Sequence, residues 1–238
     1  PGFYGLNTQD ASIQLNSGFA LEAFNCVIDK FGRIGARKGW TKVNTSAAST
    51  GNFRAIFELI KDDGNVVLSA ANNKLYSGTT TLTELAVRNS TDTADLTYTI
   101  TDDNWQIAGM PYNHGGNTSA HAVFAQAGHP LLVYHKLGNA SHNHTGAYGF
   151  QRVGDVGTVP SGYAAATFTP NCALTAYGRL WVANIVGDTQ TVYFSDLQDP
   201  SNFTTGTSGY LDISTVIPTG DGITALCAHN GFLIIFCH

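Results

Sequence analysis

A shared pattern runs through residues 174–182, LTAYGRLWV, and residues 226–235, LCAHNGFLII. In both stretches an apolar run breaks at a glycine and resumes one or two residues later. The same break occurs at four glycines, Gly64, Gly128, Gly178 and Gly231, and the last three recur at about 50 residues. Because glycine readily supplies the positive φ of a tight turn, each break predicts a β-hairpin. The period predicts one small β-sheet copied in series.

The two stretches also match beside their turns. Leu180 corresponds to Leu233, and Ala176 corresponds to Ala228 if the second turn carries one extra residue. A strand that packs between two other sheets needs apolar side chains on both faces, so it is expected to be a continuous apolar run. Such runs occur at residues 131–133, 180–182 and 232–236.

Further strand signals follow these hairpins. Aromatic third strands are predicted at residues 75–76, 148–150 and 192–194, and more polar fourth strands at residues 83–87 and 210–214. We therefore predict an all-β fold, a partial β-propeller with blades of about four antiparallel strands. Residues 1–50 are predicted to form an extended N-terminal arm, and residues 51–238 the blades. Sandwiches and barrels share the same turn spacing and are the alternative.

The chain is poor in charge for its length. Charged residues make up 12% of 238 residues, and the formal net charge is −5 with a pI near 5.8. So few charges predict a subunit that buries much of its surface against other subunits. The acidic balance disfavours a nucleic-acid-binding surface, which depends on Lys and Arg. No apolar run has the length of a membrane-spanning helix, and we expect the sequence to be part of a longer protein.

The residues that often carry chemistry do not form a recognisable catalytic or metal motif. Histidines concentrate in residues 112–148, with His142 and His144 in an H-x-H pair, and we predict loop histidines rather than a zinc site. Asp196 and Asp199 are the one candidate carboxylate pair for a glycosidase, which is a weaker alternative. We predict no enzyme activity, no cofactor and no metal.

The four cysteines, Cys26, Cys172, Cys227 and Cys237, share no short metal-ligand spacing. Most of them lie in apolar surroundings in the sequence, so we predict buried free thiols. Free thiols fit folding in a reducing cytosol.

Two longer segments carry more specific patterns. Within residues 5–40 the pattern comprises Gly5, Asn7, Leu15, Gly18, Glu22, Ala23, Asn25, Gly32, Arg37, Gly39 and Trp40. Within residues 192–236 it comprises Tyr193, Ser195 and Asp196, an Asp199-Pro200 loop, Tyr210 to Asp212, and the closing hairpin. In order and spacing, both segments resemble tail proteins of short-tailed bacteriophages, the propeller-containing nozzle or tail-hub subunits. The histidine-rich residues 112–148 match no pattern of that family.

The resemblance implies a structural protein of the virion tail, assembled in the host cytoplasm. It implies a homo-oligomeric ring of about six copies, contacts with portal-adaptor or other tail proteins, and passage of DNA without sequence-specific binding. A basic patch of Lys30, Arg33, Arg37, Lys38 and Lys42 lies in the arm. Arg33, Arg37 and Trp40 are the candidate interface residues, with an arm folded on its own propeller as the alternative.

Two other functions stay open. A propeller-type binding module for glycans or proteins would use exposed aromatic residues at loop tips, such as Tyr112, Tyr163 and Phe203. A tail depolymerase would use Asp196 and Asp199.

Overall fold

The computed structural model describes residues 4–7, 14, 16–20, 22–28, 30, 33–39, 41, 43, 52–61, 63–71, 73–101, 103–114, 117–137 and 147–238. Strands dominate these residues, and the helix described among them, α1, is the single turn Val153–Val156. The prediction of an all-β fold is therefore confirmed. The chain divides into two compact units, Pro1–Val43 and Asn44–His238.

The first unit contains two short strand pairs in its described residues. The strands are β1 (Gly5–Leu6), β2 (Phe19–Ala20), β3 (Cys26–Ile28) and β4 (Ile34–Ala36). β1 runs parallel to β2, and β3 runs antiparallel to β4. The rings of Tyr4 and Phe19 lie 5.7 Å apart beside the first pair. Strands of two or three residues contribute few backbone hydrogen bonds, so side-chain contacts of this kind matter for the unit.

The second unit begins with two sheets that follow one another along the chain. Sheet I is an antiparallel meander of β5 (Phe53–Leu59), β6 (Val66–Ala71), β7 (Lys74–Ser77) and β8 (Thr83–Leu85). Sheet II comprises β9 (Val87–Arg88), β10 (Asp95–Leu96), β11 (Trp105–His114), β12 (Asn117–Gln126), β13 (Leu132–Lys136) and β14 (Tyr148–Arg152). Its strands β11 to β14 form the same meander, and β9 runs parallel to β14. The turn at Gly128 joins β12 to β13, the second and third strands of this meander, whereas the turn at Gly64 joins the first two strands of sheet I. The two turns are therefore not equivalent, and their spacing is irregular.

Two further sheets complete the second unit. Sheet III is an antiparallel meander of β15 (Pro170–Ala176), β16 (Arg179–Ile185), β17 (Asp188–Phe194) and β18 (Gly209–Asp212). Sheet IV is a hairpin of β19 (Ile223–His229) and β20 (Phe232–Cys237). In sheets I and III the predicted apolar, aromatic and polar strands occur in the predicted order. In sheet II the aromatic strand at residues 148–150, predicted as a third strand, is instead the fourth strand of the meander. Within the described residues, none of these sheets closes on itself.

The hairpins of sheets III and IV have identical turn lengths. Tyr177 and Gly178 form one turn with φ of 54° and 71°, and Asn230 and Gly231 form the other with φ of 48° and 85°. Positive φ at both central residues is the geometry of a two-residue type I′ turn, whose twist matches that of the strands. The prediction of an extra residue in the second turn was wrong. The irregularity lies instead in β19, at the register shift after Ile223.

The correct equivalence follows from the pairing beside these turns. Ala176 pairs with Arg179, and His229 pairs with Phe232. Leu180 therefore corresponds to Leu233 as predicted. Ala176 corresponds to His229, which replaces the predicted match with Ala228.

The core of the second unit lies between consecutive sheets. On β12, Ala122 and Phe124 pack with sheet I, whereas Val123 and Ala125 pack with sheet III. Successive side chains of a strand point to opposite faces, so this single strand contributes to two cores. A third core joins sheets III and IV around Val192. Sheets II and III are thus apolar on both faces, as their continuous apolar runs predicted.

Sheet IV leaves one face open. Leu233 and Ile235 pack against sheet III, whereas Phe232, Ile234 and Phe236 are exposed at 72%, 38% and 50%. Exposure of several large apolar side chains on one face indicates a surface that gains stability when it is covered.

Candidate functional site

The described residues predicted for intersubunit contact lie beside β4 in the first unit. Arg33 immediately precedes this strand, Arg37 immediately follows it, and both are exposed. The backbone N–H of Arg37 donates to the carbonyl oxygen of Asn25 at 2.9 Å, which fixes the chain where β4 ends. Trp40 lies outside the described residues. Two guanidinium-bearing residues therefore flank a three-residue strand at the surface of this unit.

Apolar side chains are exposed around this basic segment. Phe24 is 82% exposed and Ile34 is 47% exposed. Lys30 and Lys38 are exposed in the same stretch. Large apolar groups interleaved with Arg can both remove surface from water and form bidentate hydrogen bonds to carboxylates. The segment therefore has the composition of a contact surface.

A buried polar cluster lies where β11, β12 and β13 run side by side. The imidazole of His121 stacks on Tyr112 with centroids 4.5 Å apart, and it meets His135 edge to face at 5.4 Å. His135 Nε2 donates to Gln151 Oε1 at 2.8 Å, and the Gln151 amide donates in turn to the carbonyl oxygen of Asn89. The hydrogen bonds that join His135, Gln151 and Asn89 fix how these neighbouring strands pack.

The prediction that the histidines lie in loops was wrong for His121 and His135. Both lie within strands and are buried, because the ten-residue β12 continues through His121 and β13 continues through His135. His129 does lie in the turn between them, where it bonds to Thr101 Oγ1 at 2.7 Å. His142 and His144 lie outside the described residues. Within the described ranges, no group of three or more His, Cys, Asp and Glu side chains could hold a metal.

Asp196 is held by its own loop. Its Oδ1 accepts the backbone N–H groups of Leu197 and Thr207 at 2.8 Å and 2.9 Å, and the hydroxyl of Thr207 at 2.8 Å. Desolvation is the largest influence on the pKa of Asp196 and raises it, but the hydrogen bonds from Thr207 and Leu197 outweigh it and lower the pKa. A carboxylate with these partners is suited to organising the loop after β17.

Asp199 has a similar role in the same loop. It is buried, and its Oδ1 accepts the backbone N–H and the hydroxyl of Ser201 at 3.0 Å and 2.7 Å. Such contacts are typical of an Asx turn. The two candidate glycosidase residues therefore both have hydrogen-bond partners within their loop.

The three aromatic residues expected at loop tips are not freely exposed. Tyr112 and Phe203 are buried, which contradicts the prediction of exposed platforms for them. The stack on His121 covers Tyr112, and a contact with Phe168 at 5.2 Å helps to cover Phe203. Tyr163 is partly buried.

Two tyrosines share one carboxylate on sheet III. The hydroxyls of Tyr163 and Tyr193 donate to Asp188 Oδ2 at 3.1 Å and 2.7 Å. Burial, and then the hydrogen bond to Asp188, raise the pKa of Tyr193. Sequence reasoning missed this cluster, because the three residues are separated in the chain and only the fold brings them together.

A cavity of about 540 Å³ lies where β5 and β11 end. Its walls include Phe57, Glu58, Met110, Asn113 and Gln198. A second cavity of about 500 Å³ lies beside β18. Both have volumes in the range of small-molecule sites.

The cysteines are free, and one of the predictions for them needs correction. Cys172 is buried, burial raises its pKa to about 11, and its thiol donates to the carbonyl oxygen of Thr224 at 3.3 Å. Cys227 is exposed, because it lies on the open face of sheet IV. The prediction of a buried thiol was therefore correct for Cys172 and wrong for Cys227.

Comparison with protein-family models, with curated proteins and with solved structures gives no match. Among the described residues, no helix has the length and apolar character to cross a membrane.

Proposed function

We propose that this chain is a structural protein of a bacteriophage tail, a subunit of the nozzle or hub through which DNA passes at ejection. The observation that carries the proposal is the series of sheets I to IV, in which each sheet packs face to face on the next. Propeller blades pack in this way around an axis. The resemblance of residues 5–40 and 192–236 to tail proteins supports the same assignment.

The sheets correspond to blades in this proposal. Sheets I and III are four-stranded antiparallel meanders, and β11 to β14 form a third. Sheet IV corresponds to the first two strands of a blade, because its hairpin repeats the β15–β16 hairpin with the same type of turn. In this proposal sheets I to IV form a partial β-propeller, and the first unit that precedes them is the N-terminal arm.

Contacts between copies would cover the exposed apolar surfaces. Phe24 and Ile34 in the first unit, and Phe232 and Phe236 on sheet IV, all expose large apolar area. Covering such area stabilises an assembly by about 25 cal/mol for each Å² removed from water. We assign Arg33, Arg37 and Trp40 to the contact with a neighbouring copy or a portal-adaptor protein, in a ring of about six copies.

The charge distribution supports passage of DNA without binding. Residues 44–238 contain 14 Asp and Glu but seven Lys and Arg. A wall with a net negative charge repels the phosphate backbone, so a duplex can move past it without being held.

Sedimentation velocity of the full chain tests the assembly. The wild-type chain should sediment as a ring of about six copies. The combined change Arg33→Ala, Arg37→Ala and Trp40→Ala should reduce the assembly to smaller species, because it removes the cationic and aromatic contacts. The matched control is Arg54→Ala with Lys74→Ala, two exposed cations that are ion-paired within the second unit.

Circular dichroism must show that all variants keep the β-sheet signal of the wild type. Unchanged assembly of the triple variant would contradict the interface role of these residues. A wild-type chain that stays monomeric alone and with purified tail proteins would contradict the tail function.

A second candidate function, a binding module, is favoured by one observation. The cavity beside β18 is lined by aromatic, hydroxyl and carboxylate groups. No catalytic role is proposed for Asp196 and Asp199, whose loop contacts account for both residues.

A further inference from the structure

The cavity beside β18, here called the Tyr210 cavity, lies on one face of sheet III. Tyr193 pairs with Tyr210 across β17 and β18, and Thr191 pairs with Asp212. These four residues share a face because side chains alternate along each strand. Pro160 and Ser161 belong to the loop that forms another wall.

The cavity presents an aromatic platform. Tyr210 is 68% exposed, and its ring lies 6.1 Å from that of Tyr193 with 45° between the planes. Tyr193 is held in place by its hydrogen bond to Asp188. An exposed ring beside a fixed one offers an apolar face of defined orientation to a ligand.

Polar groups surround this platform. Hydroxyls are supplied by Ser161, Thr204 and Ser208, and a carboxylate by Asp212. Asp212 Oδ1 accepts the backbone N–H of Ser214 at 2.8 Å, and a carboxylate has lone pairs for further donors. Hydrogen bonds from the Ser214 side chain and backbone lower the pKa of Asp212, so the group is ionised at neutral pH.

The charge of the cavity narrows the ligand class. Among the described residues that line it, none is Lys or Arg. An anionic ligand would therefore meet the Asp212 carboxylate without a compensating cation. A neutral ligand rich in hydroxyl donors can instead give charge-assisted hydrogen bonds to that carboxylate.

We propose that the Tyr210 cavity binds the ring of a neutral saccharide. The C–H face of the sugar packs on the Tyr210 ring, its hydroxyls donate to Asp212, and the Ser161 and Thr204 hydroxyls complete the hydrogen bonding. The cavity of about 540 Å³ is a poorer candidate, because the tyrosine among its lining residues, Tyr112, is buried and stacked on His121. This inference names the ligand of the second candidate function, the binding module, and does not depend on the proposed structural function.

Saturation-transfer difference NMR with the full chain tests the proposal. The probes are the methyl glycosides of glucose, galactose, mannose, N-acetylglucosamine and N-acetylgalactosamine, with N-acetylneuraminic acid as the anionic comparison. We expect saturation transfer to at least one neutral sugar, with a millimolar Kd, since a single ring buries little area. N-acetylneuraminic acid should bind more weakly than that sugar.

Substitutions in and around the Tyr210 cavity test whether the sugar binds there. Tyr210→Ala and Asp212→Asn should each weaken it about tenfold or more, whereas Tyr210→Phe should retain it because the ring face is kept. The matched controls are Leu211→Ala, on the opposite face of β18, and Asp221→Asn, outside the cavity lining. Both controls should bind like the wild type.

Three results would overturn the proposal. They are the absence of binding to every neutral probe, binding that Tyr210→Ala and Asp212→Asn leave unchanged, and stronger binding of N-acetylneuraminic acid. A sugar-binding chain that stays monomeric both alone and with purified tail proteins would contradict the tail function and leave the saccharide proposal intact, so the two proposals fail separately. Tyr210 and Asp212 are exposed, so replacing them should change the stability of the fold little. Thermal unfolding of each variant checks this.

Discussion

The imidazole of His121 lies nearly flat on the ring of Tyr112, with centroids 4.5 Å apart and 14° between the planes. Both residues are buried. His121→Ala removes this stack and leaves a cavity, so it should lower the free energy of unfolding by about 2–4 kcal/mol. Urea unfolding followed by circular dichroism measures the loss.

The control for this prediction is His229→Ala. His229 is exposed on β19, so its replacement should change the free energy of unfolding by less than about 0.5 kcal/mol. Equal effects of the two replacements would contradict the structural role assigned to His121.

Buried tyrosines make the protein sensitive to alkali. Burial, with a smaller contribution from Asp199, raises the pKa of Tyr112 to about 12, and burial raises that of Tyr134 to about 12. In the unfolded chain a tyrosine has a pKa of about 10, so between about pH 10 and 12 the unfolded state binds fewer protons than the folded state. The stabilisation is therefore complete below about pH 10 and is lost as the pH rises toward 12.

Urea unfolding at several pH values, with tyrosinate absorbance on the same samples, tests this dependence. Tyr112→Phe cannot ionise, so its stability should fall less steeply between about pH 10 and 12 than that of the wild type. A slope identical to that of the wild type would show that Tyr112 is not protected from ionisation.

Gly206 touches the carboxylate that organises the loop after β17. Its φ is +67°, and an added Cβ would overlap the carboxylate of Asp196. Gly206→Ala should therefore lower stability by about 2 kcal/mol or more, through backbone strain and displacement of Asp196.

Gly187→Ala is the matched control for Gly206→Ala. Gly187 has a φ of +87°, but an added Cβ there meets no atom within 4 Å. Gly187→Ala should therefore lower the free energy of unfolding by about 1 kcal/mol, through backbone strain alone. Thermal unfolding compares the two variants. An equal loss of stability in both would mean that the contacts of Asp196 do not stabilise the fold.

Leu233 and Ile234 are neighbours on β20 with opposite environments. Leu233 packs against sheet III, whereas Ile234 is 38% exposed. Leu233→Ala should lower the stability of the chain by about 2 kcal/mol, and Ile234→Ala by less than about 1 kcal/mol.

Ile234→Ala should weaken assembly more than Leu233→Ala does, because Ile234 lies on the face that neighbouring subunits would cover. Urea unfolding and sedimentation velocity on the same variants separate the two effects. If Ile234→Ala destabilised the chain more than Leu233→Ala, the face assignment of sheet IV would be wrong.

The sequence predicted the strands of sheets I, III and IV because their signals are local. Gly178 and Gly231 mark turns through their positive φ, and the continuous apolar run at residues 180–182 indicates a strand buried on both faces. The lengths of the two turns could not be predicted from the sequence. Tyr177 adopts a positive φ of 54° that its residue type does not favour, so the two-residue turn became evident only from the pairing of Ala176 with Arg179.

The candidate sites were predicted less well, because they depend on contacts between distant segments. His121 and His135 resemble polar loop residues in the sequence, yet inside the sheet His121 stacks on Tyr112 and His135 donates a hydrogen bond to Gln151. The Tyr210 cavity could have been suspected from Tyr210 and Asp212, which alternate on β18 with Leu211. One further wall comes from Pro160 and Ser161, about 50 positions before Tyr210 in the chain.

Cryo-electron microscopy of the full wild-type chain, at a concentration where it sediments as an oligomer, shows directly whether the copies assemble into a ring. We expect closed rings of about six copies around an open channel, with sheets I to IV stacked face to face in each copy and the first unit at the contact between copies. Single chains without rotational symmetry, or copies joined through surfaces that leave both Arg37 and Phe232 exposed, would contradict it.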